Sequence, residues 1–160
     1  MKKISLILTF VMLCFMQAKA IDIEGMFVKY KHSHKADNVS VSYPLMKLTR
    51  LVMPKNVEGA DIIKAINSVH VLDMELCSEA IKSQFTKDAS LLSLNRYEVL
   101  VDVNDEDEHT RILAKRKDKL IKELIILQTG KEALLVRITG KIDPQKYMHY
   151  ANKYAQKKKE

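Results

Sequence analysis

The chain has 160 residues, of which 47% are hydrophobic and 29% are charged, and its formal charge is +7. Four glycines, three prolines and two cysteines exclude a collagen-like, low-complexity or disulfide-rich protein, and the length suits one compact domain. These numbers exclude architectures but indicate no activity.

The first twenty residues have the pattern of a secretory signal peptide. A basic start, Met1–Lys3, precedes the mainly apolar run Ile4–Met16, and the small residues Ala18 and Ala20 stand where a signal peptidase reads. The apolar run is short for a bilayer, which needs about 20 residues. We therefore expect cleavage after Ala20 and export to the periplasm or cell envelope.

Two alternatives for this leader remain open, a buried N-terminal helix and lipid attachment at Cys14. Leu13 stands where a lipobox has Gly, Ala or Ser, which favours a soluble protein over a lipid-anchored one. Cleavage would remove three lysines and no acid, lowering the formal charge from +7 to +4. It would also leave Cys77 as the one thiol, so the mature chain could form no internal disulfide, and we expect a buried, inert thiol.

The first half of the mature chain alternates between helical and strand periodicity. Apolar residues recur at helical spacing from Ile23 to Tyr30, and Val39, Val41 and Tyr43 alternate with serines as in a half-buried strand. The pattern predicts a helix over 22–31, a strand over 39–43, a helix from Pro44 to Pro54, a helical turn over 61–66, a strand over 69–72 and a helix over 78–94 capped by Asn95.

The second half is dominated by period-two patterns. Tyr97, Val99, Val101 and Val103 predict a strand with these four side chains on one face, followed by an acidic turn and a return strand over 111–115.

Residues 118–128 fit both a helix and a buried strand. We favour a strand over 122–128, because a strong partner strand, 133–139, follows after a short turn at Thr129–Gly130. Asp143–Pro144 then begins a final helix, which ends in a basic tail at 157–160.

This order of elements predicts a single α+β domain over residues 21–156. Hairpins between the last strands favour antiparallel pairing, whereas the strand–helix–strand units at the start favour a parallel or crossover connection. We expect one mixed, mostly antiparallel sheet with helices packed mainly on one face.

Several segments resemble a known family. The leader, Tyr97–Val101, Ile121–Ile125 and Val136–Asp143 are similar to parts of the domain of unknown function 4252 family (DUF4252), exported proteins of Bacteroidota. The resemblance covers nearly the whole mature chain and implies an exported α+β domain. It implies no established activity and assigns no functional residue.

The acidic segment Asp102–Glu108 imitates the first half of a calcium loop. Oxygen ligands alternate as such a loop requires, but Asp107 takes the glycine position and Leu113 the place of the bidentate glutamate. We interpret the segment as a solvated hairpin tip, with weak incidental cation binding as the alternative. His32 and His34 similarly offer too few partners for a zinc site, so we interpret them as surface histidines.

Two further clusters could contact a partner. Lys115, Arg116 and Lys117 could meet an anionic membrane surface, although they fit a solvated hairpin tip as well. The stripe Tyr147, Tyr150 and Tyr154 fits either a packing face or a partner site.

Motifs for catalysis or phosphate binding are missing from the sequence, so we expect no enzyme activity, no cofactor and no metal. Without interleaved aromatics we expect no nucleic acid partner either, and the sequence does not indicate an oligomeric state. We expect a non-enzymatic interaction module that binds an envelope protein, by strand addition if a sheet edge is exposed. The alternative is a small-ligand or lipid binder with an apolar pocket between sheet and helices, lined by Met46, Met53, Met74 and Met148.

Overall fold

The computed structural model describes residues 21–52 and 60–145. Within these ranges four helices and six strands make up a single α+β domain, as the sequence predicts. In chain order they are α1 (Ile23–Tyr30), β1 (Asp37–Val41), α2 (Tyr43–Val52), α3 (Ala60–Ala65), β2 (Ile66–Asp73), α4 (Glu79–Ser90), β3 (Glu98–Asn104), β4 (Glu108–Lys117), β5 (Leu120–Gly130) and β6 (Leu134–Ile142).

The six strands form one sheet in the order β1-β2-β6-β5-β4-β3, and every neighbouring pair is antiparallel. The strand–helix–strand start therefore produces no parallel neighbours. Its crossover lies between β2 and β3, which run in the same direction but are separated by β6, β5 and β4. Helix α4 makes this connection across the sheet and so covers one of its faces.

The main hydrophobic core lies between that face and helices α1 and α4. Asp22 caps α1 by accepting a hydrogen bond of 2.7 Å from the N–H of Gly25. Phe27 of α1 and Phe85 of α4 are fully buried, and the Tyr30 ring packs edge-on against Phe85 at 5.3 Å. The sheet side of this core consists of Leu72, Leu113, Ile125, Leu127 and Leu135. Each such side chain contributes about 1.5–3 kcal/mol on burial, so this layer supplies most of the hydrophobic stabilisation.

The opposite face of the sheet is also apolar. One aliphatic residue from each strand stands in direct register with the next, a set that we call the aliphatic row: Val39, Val71, Val136, Ile126, Ile112 and Val101. Alternate residues of a strand point to opposite faces, so the row lies away from α1 and α4. Its inner four members are half-buried, and its two end members are exposed.

Residues 122–128 belong to strand β5 and not to a helix, as we favoured. Asp118 adopts a left-handed conformation (φ 59°) in the turn between β4 and β5. The following turn differs from the prediction, because β5 continues through Gly130 and the chain reverses at 131–133. Gly130 has φ 112°, and a Cβ there would lie 2.1 Å from the carbonyl oxygen of Asp107, so this close approach requires glycine.

Two predictions about β3 and α4 were wrong. A β-bulge between Val99 and Val101 pairs Val99 with Leu113 but Val101 with Ile112, so the valines of β3 do not share one face. Helix α4 ends at Ser90 with Leu91 as its cap, and Asn95 has no capping role.

Several predictions concern residues outside the described ranges: the leader, Pro54, the tyrosine stripe and the basic tail. Pro144 and Gln145 are helical, and the Asp143 carboxylate accepts a 3.0 Å hydrogen bond from the N–H of Gln145. Among the described residues, none of the helices has the length and apolar character that crossing a membrane requires.

Candidate functional site

Strand β3 forms one edge of the sheet. Within the described residues it pairs only with β4, and all seven of its residues are exposed. Four of them are large and apolar, with exposed fractions between 38% and 56%: Val99, Leu100, Val101 and Val103. An edge strand presents unpaired N–H and C=O groups, so this exposed apolar edge is a template for a further extended segment.

The bulge in β3 sets which side chains a further strand would meet. Val101 lies at the end of the aliphatic row, and Val103 lies on the same face opposite Thr110. Val99 lies on the other face beside the buried Leu113. A strand added here would therefore extend the apolar surface on both faces of the sheet.

The same edge is acidic. Asp102 contacts the ring of His109 at 2.5 Å, and Glu98 accepts a 2.6 Å hydrogen bond from Arg116. Asp107, in the turn after β3, pairs with Lys131 at 2.5 Å. The acidic segment is thus a hairpin tip held by local ion pairs, in the place that the sequence predicts.

The three basic residues of β4 do not form one surface. Arg116 forms an ion pair with Glu98, whereas Lys115 lies beside Glu123 of β5 and lines a pocket. Lys117 is exposed at the end of the strand. The other predicted contact residues (Tyr147, Tyr150 and Tyr154) and the cleavage residues (Ala18 and Ala20) lie outside the described ranges.

A polar pocket lies at the N-terminus of α1, on the face that carries the main core. Its volume is about 430 Å³, and its charged lining consists of Asp22, Glu24, Arg96, Lys115, Glu123 and Arg137, with Tyr97 beside them. We refer to it as the polar pocket. It differs from the apolar cavity expected from the methionines. Met74 is fully buried in the main core and Met46 is also buried, while Met53 and Met148 lie outside the described ranges.

Buried charges form the floor of the polar pocket. The side chain of Glu123 is only 9% exposed and contacts Nε of Arg137 at 2.6 Å, and Arg137 also reaches Glu24 at 2.7 Å. Burial, followed by the charge of Glu123, raises the pKa of Tyr97 to about 12, so the phenol stays neutral at physiological pH. Sequence reasoning missed this cluster, although Glu123 occupies an inward position of an alternating strand, which is a signal in itself.

A second buried carboxylate, Asp88 of α4, connects the two helices of the core. It accepts a 2.7 Å hydrogen bond from the Tyr30 hydroxyl, a 3.1 Å bond from Gln84 and an ion-pair contact from Lys29. Burial opposes ionisation of Asp88, but these three donors outweigh it and lower its pKa. All of these side chains lie on α1 and α4, so their contacts link the two helices.

Two further side chains, His70 and Cys77, pack against residues of the main core. The His70 ring stacks on Phe27 at 3.8 Å, and its Nε2 lies 2.8 Å from the side-chain oxygen of Asn38. Burial raises the pKa of the Cys77 thiol, which is unpaired and buried in the main core. Within the described ranges, His, Cys, Asp and Glu side chains form no group of three or more that could hold a metal ion.

Comparison with known proteins identifies a family for this chain. Residues 30–150 match the family model described as domain of unknown function (DUF4252), and the chain belongs to this family. No curated protein and no solved structure matches the chain. The family assigns no activity, so function has to be argued from the edge strand and the pocket.

Proposed function

We propose that the protein is an exported, non-enzymatic interaction module of the cell envelope that binds a protein partner by adding an extended segment to β3. The observation that carries this proposal is the exposed edge itself, with seven exposed residues and four large apolar side chains. Main-chain hydrogen bonds of an added strand contribute affinity, and alternate side chains contribute specificity.

The side chains of β3 define the partner segment. Aliphatic residues at alternate positions would pack beside Val101 and Val103 and continue the aliphatic row. Basic residues would complement Asp105 and Glu106 of the acidic tip next to β3, because opposite charges on neighbouring strands are favourable. We therefore expect a segment that alternates β-branched and basic residues.

The same charges oppose self-association through this edge. Antiparallel pairing of two copies centred on Val101 would place Glu98 of each copy opposite Asn104 and next to Asp105 of the other. Leu100 would then face Asp102, an apolar side chain against a carboxylate. Like charges at short cross-strand distance are destabilising, so a different protein is the better partner.

Affinity purification from the protein's own cell envelope tests the proposal. We expect the wild-type chain to retain one protein near equal stoichiometry and the Val101→Lys variant to lose it, because a lysine on an edge strand opposes pairing. Val28→Lys is the control, since Val28 is also an exposed valine (56%, against 38% for Val101) but lies on α1. A partner that Val101→Lys retains as well as the wild type does would contradict the proposal.

Export is tested separately. Cleavage after Ala20 is supported by the basic start of the chain, the apolar run that follows it, and the small residues at positions 18 and 20. N-terminal sequencing of the protein from its own cells should therefore begin at Ile21. A chain that retains Met1 in the cytoplasmic fraction would contradict this part of the proposal.

The proposal includes no catalytic role and no cofactor. Glu123 contacts Arg137, and Asp88 contacts Lys29, so each buried carboxylate is already occupied by an ion pair within the fold. Peripheral contact with an anionic membrane has less support than a protein partner, because Arg116 is already paired with Glu98 and Lys115 turns toward the polar pocket.

A further inference from the structure

We propose that the polar pocket binds a small zwitterion, whose ammonium group contacts Glu123 and whose carboxylate or phosphate group contacts Lys115 and Arg96. This inference is independent of the β3 edge, which lies outside the pocket. It concerns a second binding site of different chemistry on the same domain.

The floor of the pocket carries an excess of negative charge. Glu24 and Glu123 share the single guanidinium of Arg137, at 2.7 and 2.6 Å, so these three side chains have a net charge of −1. Glu123 is buried, whereas the side chain of Glu24 is 60% exposed, so the cost of burying charge concerns Glu123. A bound cation would lower that cost.

An oxygen of Glu123 also lacks a hydrogen bond. The Tyr97 phenol is hydrogen-bonded to the Glu123 carboxylate, whereas the Glu123 Oε1 atom contacts Arg137 Nε at 2.6 Å and, within the described residues, neither of these two buried atoms forms a hydrogen bond. A buried acceptor without a donor costs free energy, and an ammonium group has three donors to offer. The Tyr97 phenol cannot add a second negative charge, because it stays neutral.

Two cations, Lys115 and Arg96, line the pocket together with the exposed acids Asp22 and Glu24. Among the described residues, neither Lys115 nor Arg96 forms an ion pair, and Arg96 is exposed. Lys115 is the direct cross-strand neighbour of Glu123, so a cation and a buried carboxylate lie side by side on one face. Opposite charges separated in this way match a ligand that carries one charge of each sign.

The size of the pocket agrees with such a ligand. Its volume of about 430 Å³ lies in the range of ligand pockets, about 300–1,000 Å³. Free amino acids and the phosphoethanolamine head group of lipids both carry an ammonium and an anionic group a few bonds apart, and both would fit.

Titration of the full chain with defined probes, followed by amide NMR shifts and calorimetry, tests the inference. The zwitterionic probes are glycine and O-phosphoethanolamine, and the singly charged probes are acetate, inorganic phosphate and ethylammonium. We expect a zwitterion to bind at least about tenfold more tightly than any singly charged probe, because only it contacts both Glu123 and the two cations. The better of the two zwitterions identifies the source as an amino acid or a lipid head group.

Two variants and a control make the result specific. Lys115→Gln and Arg96→Gln should each weaken zwitterion binding about tenfold, whereas Lys119→Gln, which removes the same charge at the exposed β4–β5 turn, should leave it unchanged. Arg96 and Lys119 are exposed, so these two variants are expected to fold. The inference is overturned if no probe shifts the pocket amides at about 10 mM, if singly charged probes bind equally well, or if both pocket variants bind like the wild type.

Discussion

The carboxylate of Glu123 on β5 contacts the guanidinium of Arg137 on β6 at 2.6 Å, beneath the N-terminus of α1. This ion pair places charge on the sheet face that carries the leucines and isoleucines of the main core. Leaving either partner alone in such surroundings costs several kcal/mol, so the pair fixes both side chains in place. Burial, followed by the charge of Glu123, raises the pKa of Tyr97 next to this pair.

Replacing Glu123 by glutamine should lower the pKa of Tyr97 from about 12 toward 10, since the charge of Glu123 disfavours the phenolate, while burial continues to raise the value. In the wild type, the stability that Tyr97 contributes is complete below pH 10 and lost as the pH rises through about 12. NMR titration of the tyrosine ring carbons measures this pKa. Glu98→Gln on the exposed β3 is the control and should leave it at about 12.

Asp88→Asn should destabilise the domain by about 1–3 kcal/mol, because Lys29 and Tyr30 lose a charged acceptor. The pKa of Asp88 is lowered on folding, so its stabilisation is present above the unfolded value of 3.8 and lost as the pH falls through the folded value. Urea unfolding at several pH values should show a constant difference from the wild type between about pH 5 and 7 that shrinks below about pH 4. Asp105→Asn, at the exposed tip, should show no such difference.

Gly140→Ala should destabilise the domain by about 1–3 kcal/mol through overpacking, because a Cβ would lie 2.2 Å from the carbonyl oxygen of Ala65. Gly25→Ala is the contrasting variant. Its Cβ would meet only side chains, at 3.1 Å or more, and alanine favours the helix by about 0.5–1 kcal/mol. Equal unfolding free energies for the two variants would contradict the close packing of β6 against the end of α3.

Cys77 should react with a thiol reagent at least about a hundredfold more slowly in the folded protein than in the unfolded one, because it is buried and burial raises its pKa. The rate is measured in a Cys14→Ser background, so that one thiol is followed. Fast modification without loss of structure would show that the core opens around Met74 and Cys77.

Local sequence patterns predicted most of the helices and strands, because the periodicity of a helix or strand is set by residues that are close together in the chain. The alternation of Ile121, Glu123, Ile125 and Leu127 produces the strict burial pattern of β5, and the spacing from Ile23 to Tyr30 produces α1. The bulge in β3 could not be predicted in this way. It appears in the pairing of Val99 and Val101 with different residues of β4, which depends on a partner strand.

The polar pocket was missed for the same reason. Glu24, Tyr97, Glu123 and Arg137 are far apart in the chain and meet only when α1 lies across strands in a particular register. A charged residue at an inward strand position was the available signal, and it indicates a buried partner without identifying it. The edge position of β3 also required the strand order, which the sequence did not indicate.

Amide hydrogen exchange of the purified complex tests the central claim most directly. If a partner adds a strand to the sheet, the amides of β3, Glu98–Asn104, should gain protection on binding, because their outward N–H groups become hydrogen-bonded. The amides of β1, the opposite edge, should stay unchanged. Protection confined to β1 or to the helices, with β3 exchanging as in the free protein, would contradict the account.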